Sequence, residues 1–268
     1  MSANQILATM TGWPGRQFIN RVLYLVDLTV FGLLALRDWY QRIRIFQARS
    51  YSTIVSQIIF TGIDALPTIS FLGLLTGFIF TFRLIGILDS IGGASDLVDI
   101  LATVIGLEIA PLLAAFILIS RTGSAIVVDI GNMKLHGEIE GLEILGININ
   151  DYLIAPRILG AAISQLAISV YFTLITLVFG ILLSGIFLSP SHFEFLTSLS
   201  SAFDLQTISS FVVKNLLFGY IIATTACYHG LSVEKSATEV PQQTQRAIVN
   251  SLIIIFIVDG LMGIALLA

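Results

Sequence analysis

The sequence has few charged residues. Of its 268 residues, 11% are Asp, Glu, Lys or Arg, whereas 56% are hydrophobic. Soluble domains carry roughly a quarter charged residues, because their surfaces face water. A chain this poor in charge cannot cover a water-facing surface, which excludes a soluble globular protein. The sequence therefore predicts a polytopic membrane protein.

Other features are scarce as well. The one cysteine, Cys227, has no partner for a disulfide within the chain, and the three histidines do not form a zinc-binding pattern with it. A net charge of −4 argues against nucleic acid as a partner, because nucleic acid binds basic surfaces. The ATP-binding motif G-x-x-x-x-G-K-[ST] is absent. We therefore expect no metal, no cofactor and no nucleic acid to be bound by this chain.

Long apolar runs are present instead. About 20 apolar residues are needed to cross a hydrocarbon core of roughly 30 Å, and such segments must be helical because their backbone groups have no water to bind. Five runs qualify. They lie at about 54–82, 97–119, 154–187, 208–230 and 246–268. The predicted fold is an all-α membrane protein with one five-span bundle over 51–268, and the whole of 1–268 is predicted to form a single domain.

An N-terminal apolar stretch, 22–36, is too short for a typical span. Asp27 interrupts it, and arginines flank it on both sides. We predict that residues 1–50 are cytoplasmic or interfacial, with a helix lying along the headgroups and Trp13 and Trp39 as anchors near its ends.

The distribution of Lys and Arg predicts the orientation in the membrane. Eleven of the thirteen fall on the side of the N-terminus, whereas Arg83 and Lys214 fall on the other side. Because positive loops stay in the cytoplasm, the N-terminus is predicted to be cytoplasmic. After five spans, the C-terminus emerges on the far side.

Four acidic residues fall inside the predicted spans, at positions 64, 99, 108 and 259. Intramembrane charges are costly, so each needs a partner or a function. Glu108 stands near the middle of the second span, three residues before Pro111. Two interpretations stay open for it, a functional role and a buried ion pair with a residue such as Arg121 or Arg157.

Small residues in the first span have the spacing of close helix packing. Gly73 and Gly77 form a small-xxx-small step, which lets two backbones approach each other. Packing within the chain is the favoured interpretation, and a subunit interface is the alternative.

The segment between the second and third spans is predicted to lie in the cytoplasm. It contains an amphipathic stretch at 133–145, in which Leu135, Ile139 and Leu142 fall on one helical face. Lys134 and three glutamates occupy other positions of the stretch. The stretch is either a solvated loop helix or a docking helix for a cytoplasmic partner.

Two further function classes remain open. An intramembrane enzyme acting on lipid or peptide would use Glu108 or Ser124 as its reactive group, although neither H-E-x-x-H nor G-x-S-x-G is present. A scaffold that only assembles membrane partners is the other class.

Beyond about residue 50, the chain resembles the MlaE-type (YrbE-like) permeases of MCE-associated ABC lipid transporters. Several ordered motifs carry the resemblance, at 108–111, 120–125, 129–133, 143–148, 156–157, 218–219 and 227–230. The chain departs from the family pattern at Leu107, where the family often has arginine, and at Gly137 and Ile149.

The resemblance implies a homodimeric permease in the bacterial inner membrane, with a periplasmic C-terminus. Such permeases move phospholipids between the inner and outer membranes, and a separate P-loop ATPase subunit binds the ATP and Mg²⁺. Further partners are a periplasmic ring of MCE proteins and a STAS-domain protein. The lipid cavity is expected between the two subunits, lined by the first and last spans.

The resemblance also implies roles for individual residues. A coupling helix that contacts the ATPase would contain Met133, Lys134, Glu138, Glu140, Leu142 and Glu143. Residues of the lipid cavity or of helix support would be Leu72, Gly73, Thr76, Gly77, Phe80 and Glu108. Structural positions of the family motifs would be Pro111, Arg121, Gly123, Ser124, Asp129, Gly131, Pro156 and Arg157.

Overall fold

The computed structural model describes residues 13–91, 101–187, 205–234 and 236–267, and every regular element in these ranges is helical. Three long helices are α1 (Trp13–Gly62), α2 (Leu66–Ile91) and α3 (101–135). A short helix, α4 (Glu138–Ile144), is followed by α5 (150–187), α6 (Leu205–Leu231) and α7 (Glu239–Leu267). The predicted all-α membrane fold is confirmed.

Six helical segments of the described ranges are long and apolar enough to cross a membrane. They are Ile19–Gln41, Leu66–Leu84, Thr103–Leu135, Asn150–Gly180, Leu205–Leu231 and Glu239–Ile264. The last five correspond to the five predicted spans. The first contains the stretch that we predicted to be interfacial, and its length and composition also permit a crossing. Of the four acidic positions, residue 99 lies outside the described residues.

The predicted first span, 54–82, is divided between two helices. A 3-10 turn at Ile63–Ala65 separates α1 from α2. Pro67 follows as the second residue of α2, where its missing N–H does not remove a helical hydrogen bond. α1 runs without a break past the boundary at residue 50 that the sequence predicts.

The polar segment 120–135 is helical and continues α3, so the helix of the second span extends beyond its predicted end at residue 119. Its two serine hydroxyls bond within the helix, since Ser120 Oγ donates to Ile117 O at 3.0 Å and Ser124 Oγ to Arg121 O at 3.0 Å. Gly123 packs closely on α6, where Ile222 Cγ2 lies 3.4 Å from a Cβ built on it.

The prediction of one continuous helix over 133–145 is wrong, because one helix ends at Leu135 and the next begins at Glu138. Gly137 adopts φ = 71°, a left-handed conformation that ends a helix. Met133 and Lys134 therefore belong to the last turn of α3, while the three glutamates belong to α4.

Residues 24–38 of α1 contact the same end of the bundle at two places. Tyr24 Oη lies 3.1 Å from His229 Nε2 at the end of α6, and Asn150 Nδ2 at the start of α5 donates to Asp38 Oδ2 at 2.9 Å. α5 and α6 run antiparallel, so these two helix ends are neighbours. This segment of α1 therefore packs on the part of the bundle where α5 begins and α6 ends, and its interfacial position stays a prediction.

The bundle has its core around α5, which packs against α1, α2, α3 and α6. One apolar cluster joins α1, α3, α4, α5, α6 and α7 near the α4 end, and a second joins α2, α3, α5, α6 and α7 farther along the bundle. The backbones of α5 and α6 nearly touch, because a Cβ built on Gly219 would lie 2.5 Å from Ala162 Cα.

Candidate functional site

Pro111 lies inside α3 and leaves backbone carbonyls without their helical partners. Proline has no N–H to donate to the preceding turn. Other helices supply the missing donors. Thr173 Oγ1 of α5 donates to Gly106 O at 3.0 Å, and Lys214 Nζ of α6 lies 3.5 Å from Leu107 O. The carbonyls beside Pro111 thus help to bring Lys214 to the middle of the bundle.

Lys214 is the centre of a buried charge cluster. Its ammonium group lies 2.5 Å from Glu108 Oε2 of α3 and 2.5 Å from Asp259 Oδ1 of α7. The Lys214 side chain is 4% exposed, whereas that of Asp259 is 15% and that of Glu108 is 40% exposed. Three helices therefore meet at one cation. Glu108 is the member of the cluster whose side chain is the most exposed.

This cluster changes two predictions. The partner of Glu108 is Lys214, whereas Arg157 bonds instead to Asp129 Oδ2 at 2.7 Å. Lys214 itself is buried between helices, so it is not the surface cation that the count of Lys and Arg assumed. Its position inside the predicted span 208–230, together with two acidic residues in other spans, is the sequence signal that could have identified this ion pair.

A cavity of about 560 Å³ opens beside the cluster, between α3, α6 and α7. Glu108 and Lys214 form its charged part. Its neutral polar residues are Thr103, Gln206, Thr207 and Ser210. The remaining wall is apolar or glycine, formed by Leu107, Phe211, Gly260, Met262, Gly263 and Ile264. A volume of this size is typical of small-ligand sites, which combine apolar walls with a few polar groups.

The other residues predicted for the lipid cavity lie elsewhere, on α2. Gly73 and Gly77 pack on α5, and a Cβ built on Gly77 would lie 2.7 Å from Thr176 O. Leu72 is exposed, Thr76 Oγ1 donates to Leu72 O at 2.6 Å, and Phe80 is half-buried. The described residues of the chain therefore do not bring this group together with Glu108.

α4 presents an acidic surface. Ile139 is buried against the bundle, while Glu138, Glu140 and Glu143 are exposed and Leu142 is half-buried. Sequence reasoning missed the apolar end of this surface, where Ile144 and the following Leu145 are 86% and 74% exposed. An exposed pair of large apolar side chains beside charged ones is typical of a protein contact.

A second cavity, about 680 Å³, adjoins α4, and Lys134, Glu140, Glu143 and Asn148 are among its lining residues. Lys134 Nζ donates to Leu231 O at 2.5 Å, the carbonyl at the end of α6. This hydrogen bond therefore joins the end of α3 to the end of α6.

The remaining motif residues take part in helix packing and in hydrogen bonds within the bundle. Gly131 accommodates α7, since Val240 Cγ2 lies 3.3 Å from a Cβ built on it. Pro156 is buried in the first turns of α5, and Arg121 is half-buried. Ser124 Oγ donates to backbone carbonyls, and His229 contacts Tyr24, Gln243 and Asn250. The described contacts do not pair Ser124 with a histidine base, as a serine nucleophile would need.

Comparison with known families decides the class of the protein. The family described as Permease MlaE matches residues 54–265. The chain belongs to the MlaE permease family. A probable ABC transporter permease protein of Rickettsia typhi is 27% identical over 206 residues, covering 77% of this chain and 80% of the relative.

Two further relatives match most of this chain, one from a cyanobacterium and one from a plant. A probable ABC transporter permease protein of Synechocystis is 28% identical over 193 residues, with 72% of each chain covered. The chloroplastic protein TRIGALACTOSYLDIACYLGLYCEROL 1 of Arabidopsis thaliana is 29% identical over 182 residues, covering 68% of this chain and 50% of the relative. This MlaE permease is thus a multi-pass ABC transporter permease subunit, and the family is not one of enzymes.

Proposed function

We propose that this MlaE permease moves phospholipids or related lipids between the inner and outer membranes of a bacterium. A separate P-loop ATPase subunit supplies the energy and binds the ATP and Mg²⁺. In this proposal the chain works as a homodimer in the inner membrane, with a periplasmic ring of MCE proteins and a STAS-domain protein as further partners.

The cavity beside Lys214 is the observation that carries the proposal. A lipid needs an apolar wall for its chains and polar groups for its head, and the cavity provides both within one space of about 560 Å³. Its lining residues belong to three helices, α3, α6 and α7. The galactolipid term in the name of the Arabidopsis relative is consistent with a lipid as substrate.

The α4 surface supports the ATPase as partner. Glu138, Glu140 and Glu143 are exposed beside the apolar pair Ile144 and Leu145. A surface of this kind suits a soluble subunit with a basic rim and an apolar pocket. In the proposed orientation, α4 and the end of α1 that contacts His229 lie on the cytoplasmic side, and the C-terminus is periplasmic.

A reconstitution experiment tests the proposal. The permease is co-purified with the P-loop ATPase subunit, placed in vesicles that contain a fluorescent phospholipid, and supplied with ATP and Mg²⁺. We expect lipid to be transferred or extracted only when ATP is hydrolysed.

Two substitutions on α3 make the test specific. Leu107→Trp fills the cavity and should reduce transfer about tenfold or more, because lipid must compete with a buried aromatic ring. Val104→Trp is the matched control, since Val104 is 46% exposed and does not line the cavity. Absence of ATP-dependent transfer in the unmodified complex, or equal transfer by the two variants, would contradict the proposal.

A further inference from the structure

The charges of the cavity beside Lys214 do not balance. Glu108 and Asp259 share the ammonium group of Lys214, at 2.5 Å each. With both carboxyl groups ionised, the cluster carries one net negative charge. Among the described residues, Lys214 is the cation that lines this cavity, and it is already surrounded.

The excess negative charge faces the cavity. Lys214 is 4% exposed, whereas the Glu108 side chain is 40% exposed and lines the opening. Its Oε2 accepts from Lys214, which leaves room for a second donor to the same carboxylate. The neighbouring side chain, Leu107, is apolar and adds no positive charge. In an environment of low dielectric constant, this charge favours a cationic group in the cavity.

Neutral hydrogen-bonding groups line the cavity next to Glu108. Thr207, Ser210 and Lys214 follow one another at i, i+3 and i+7 and so share one face of α6. Within the described part of the chain, the hydroxyls of Thr207 and Ser210 form no hydrogen bond with another residue. They can donate to the oxygen atoms of a ligand while Glu108 accepts from its cationic group.

We propose that this cavity binds a lipid headgroup that carries a protonated amine, with the amine at Glu108 and the adjoining oxygen atoms at Thr207 and Ser210. The proposal rests on the proposed lipid transport and adds selectivity to it. Amine-bearing zwitterionic lipids are then preferred over anionic lipids that lack an amine.

Native mass spectrometry of the full chain tests this preference. The purified protein is stripped of lipid and incubated with equal amounts of phosphatidylethanolamine and phosphatidylglycerol that have the same acyl chains, in EDTA to remove bridging metal ions. We expect about a tenfold excess of bound phosphatidylethanolamine, since a charge-assisted hydrogen bond distinguishes the two lipids. Equal binding, or an excess of phosphatidylglycerol, would overturn the proposal.

Variants locate the preference in the cavity. Glu108→Gln should bring the ratio of the two lipids close to one, whereas Glu234→Gln, the same change at an exposed residue of the α6–α7 turn, should leave it unchanged. Because Glu108→Gln also removes a counter-ion of Lys214, Leu107→Lys provides a second variant that keeps the charge cluster. It places a cation in the cavity and should shift the ratio toward phosphatidylglycerol. A ratio that neither variant changes would contradict the assignment.

Two further measurements separate the possible failures. Glycerophosphoethanolamine carries the same amine without acyl chains, and its displacement of bound lipid at equal concentration would assign the site to a soluble amine instead of a lipid. ATP-dependent transfer without headgroup preference would overturn only this inference. A preference for the amine without transfer in the complex would contradict only the proposed function.

Discussion

Lys214 connects three helices, because its ammonium group on α6 contacts acidic side chains of α3 and α7. Its charge is buried, and its ammonium group contacts carboxylates of α3 and α7 and lies near a carbonyl of α3. A buried ion cluster of this kind is weakly stabilising as a whole, because desolvation offsets the attraction. Removing one member is costly, since the others then remain charged without a partner.

Lys214→Met should therefore lower the free energy of unfolding by about 3–5 kcal/mol, since two carboxylates lose their common counter-ion. Thermal unfolding of the purified protein in detergent measures this loss. Arg83→Met is the control, because Arg83 is exposed and its replacement should change stability by less than about 0.5 kcal/mol.

A combined variant checks the physical cause. Lys214→Met together with Glu108→Gln and Asp259→Asn removes all three charges, and most of the lost stability should return. If the triple variant is no more stable than Lys214→Met alone, the loss comes from packing and not from unpaired charge.

The charge cluster shows what could be predicted for single residues. Glu108 stood out because a carboxyl group inside an apolar span needs a reason to be there. Its partner was missed because Lys214 was counted as a surface cation that sets orientation. A sequence alone gives the depth of each charge along its own helix, whereas the pairing depends on how α3, α6 and α7 are arranged around each other.

At the scale of the helices, the contact between α5 and α6 is set by Gly219. A Cβ at this position would lie 2.5 Å from Ala162 Cα and 2.6 Å from Ala161 O, and backbone atoms cannot move aside as a side chain can. The polar contact beside it is buried as well, where Gln165 Nε2 donates to Asn215 Oδ1 at 3.2 Å. The two helices are thus close enough for any added atom to separate them.

Gly219→Ala should destabilise the protein by about 1–3 kcal/mol, because the methyl group forces α5 and α6 apart. The melting temperature in detergent measures the effect. Gly62→Ala is a matched control, since a Cβ built on Gly62 meets no atom within 4 Å. Equal melting temperatures for the two variants would mean that the helices separate without cost.

α4 gives a prediction about assembly. Replacing Glu138, Glu140 and Glu143 by lysine in one variant should abolish co-purification with the ATPase subunit. The new positive charges would then face the basic rim proposed for that subunit. Asp27→Lys, at an exposed residue of α1, tests whether charge reversal alone has this effect. Unchanged co-purification of the triple variant would place the docking surface elsewhere.

The helices were predictable in number and order, but their ends were less so. Apolar runs mark the five spans because each must fill the hydrocarbon core. The apolar run of the second span ends at residue 119, so the sequence predicts the end of that span there. The hydroxyls of Ser120 and Ser124 bond within the helix, and Thr122 and Gly123 are buried, so the helix α3 continues to Leu135. The helix break at Gly137 depends on a positive φ, which a lone glycine in a sequence does not reveal.

The whole molecule has two ends with different chemistry. One end carries α4, the α6–α7 turn and the contacts of α1, and the cavity beside Lys214 lies farther along the bundle. Cys227 is buried with 0% exposure, so the natural chain is already suited to labelling of single introduced cysteines.

Labelling in intact spheroplasts with a membrane-impermeant maleimide should separate the two ends. Glu143→Cys, Glu234→Cys and Asn20→Cys should react only after permeabilisation, whereas Gly86→Cys, exposed near the end of α2, should react directly. Direct reaction of Asn20→Cys alone would show that Ile19–Gln41 crosses the membrane. Direct reaction of Glu143→Cys would contradict a cytoplasmic α4.

The hydrogen bond from Lys134 Nζ to Leu231 O has a mechanical consequence. Leu231 ends the helix that carries Lys214, and the two residues are roughly 25 Å apart at 1.5 Å per residue. A displacement of the end of α3 at Lys134 is therefore passed to the end of α6, the helix that carries Lys214 to the cavity. In the proposed transport cycle, movement at the end of the bundle that carries α4 and binding in the cavity would then be coupled through α6.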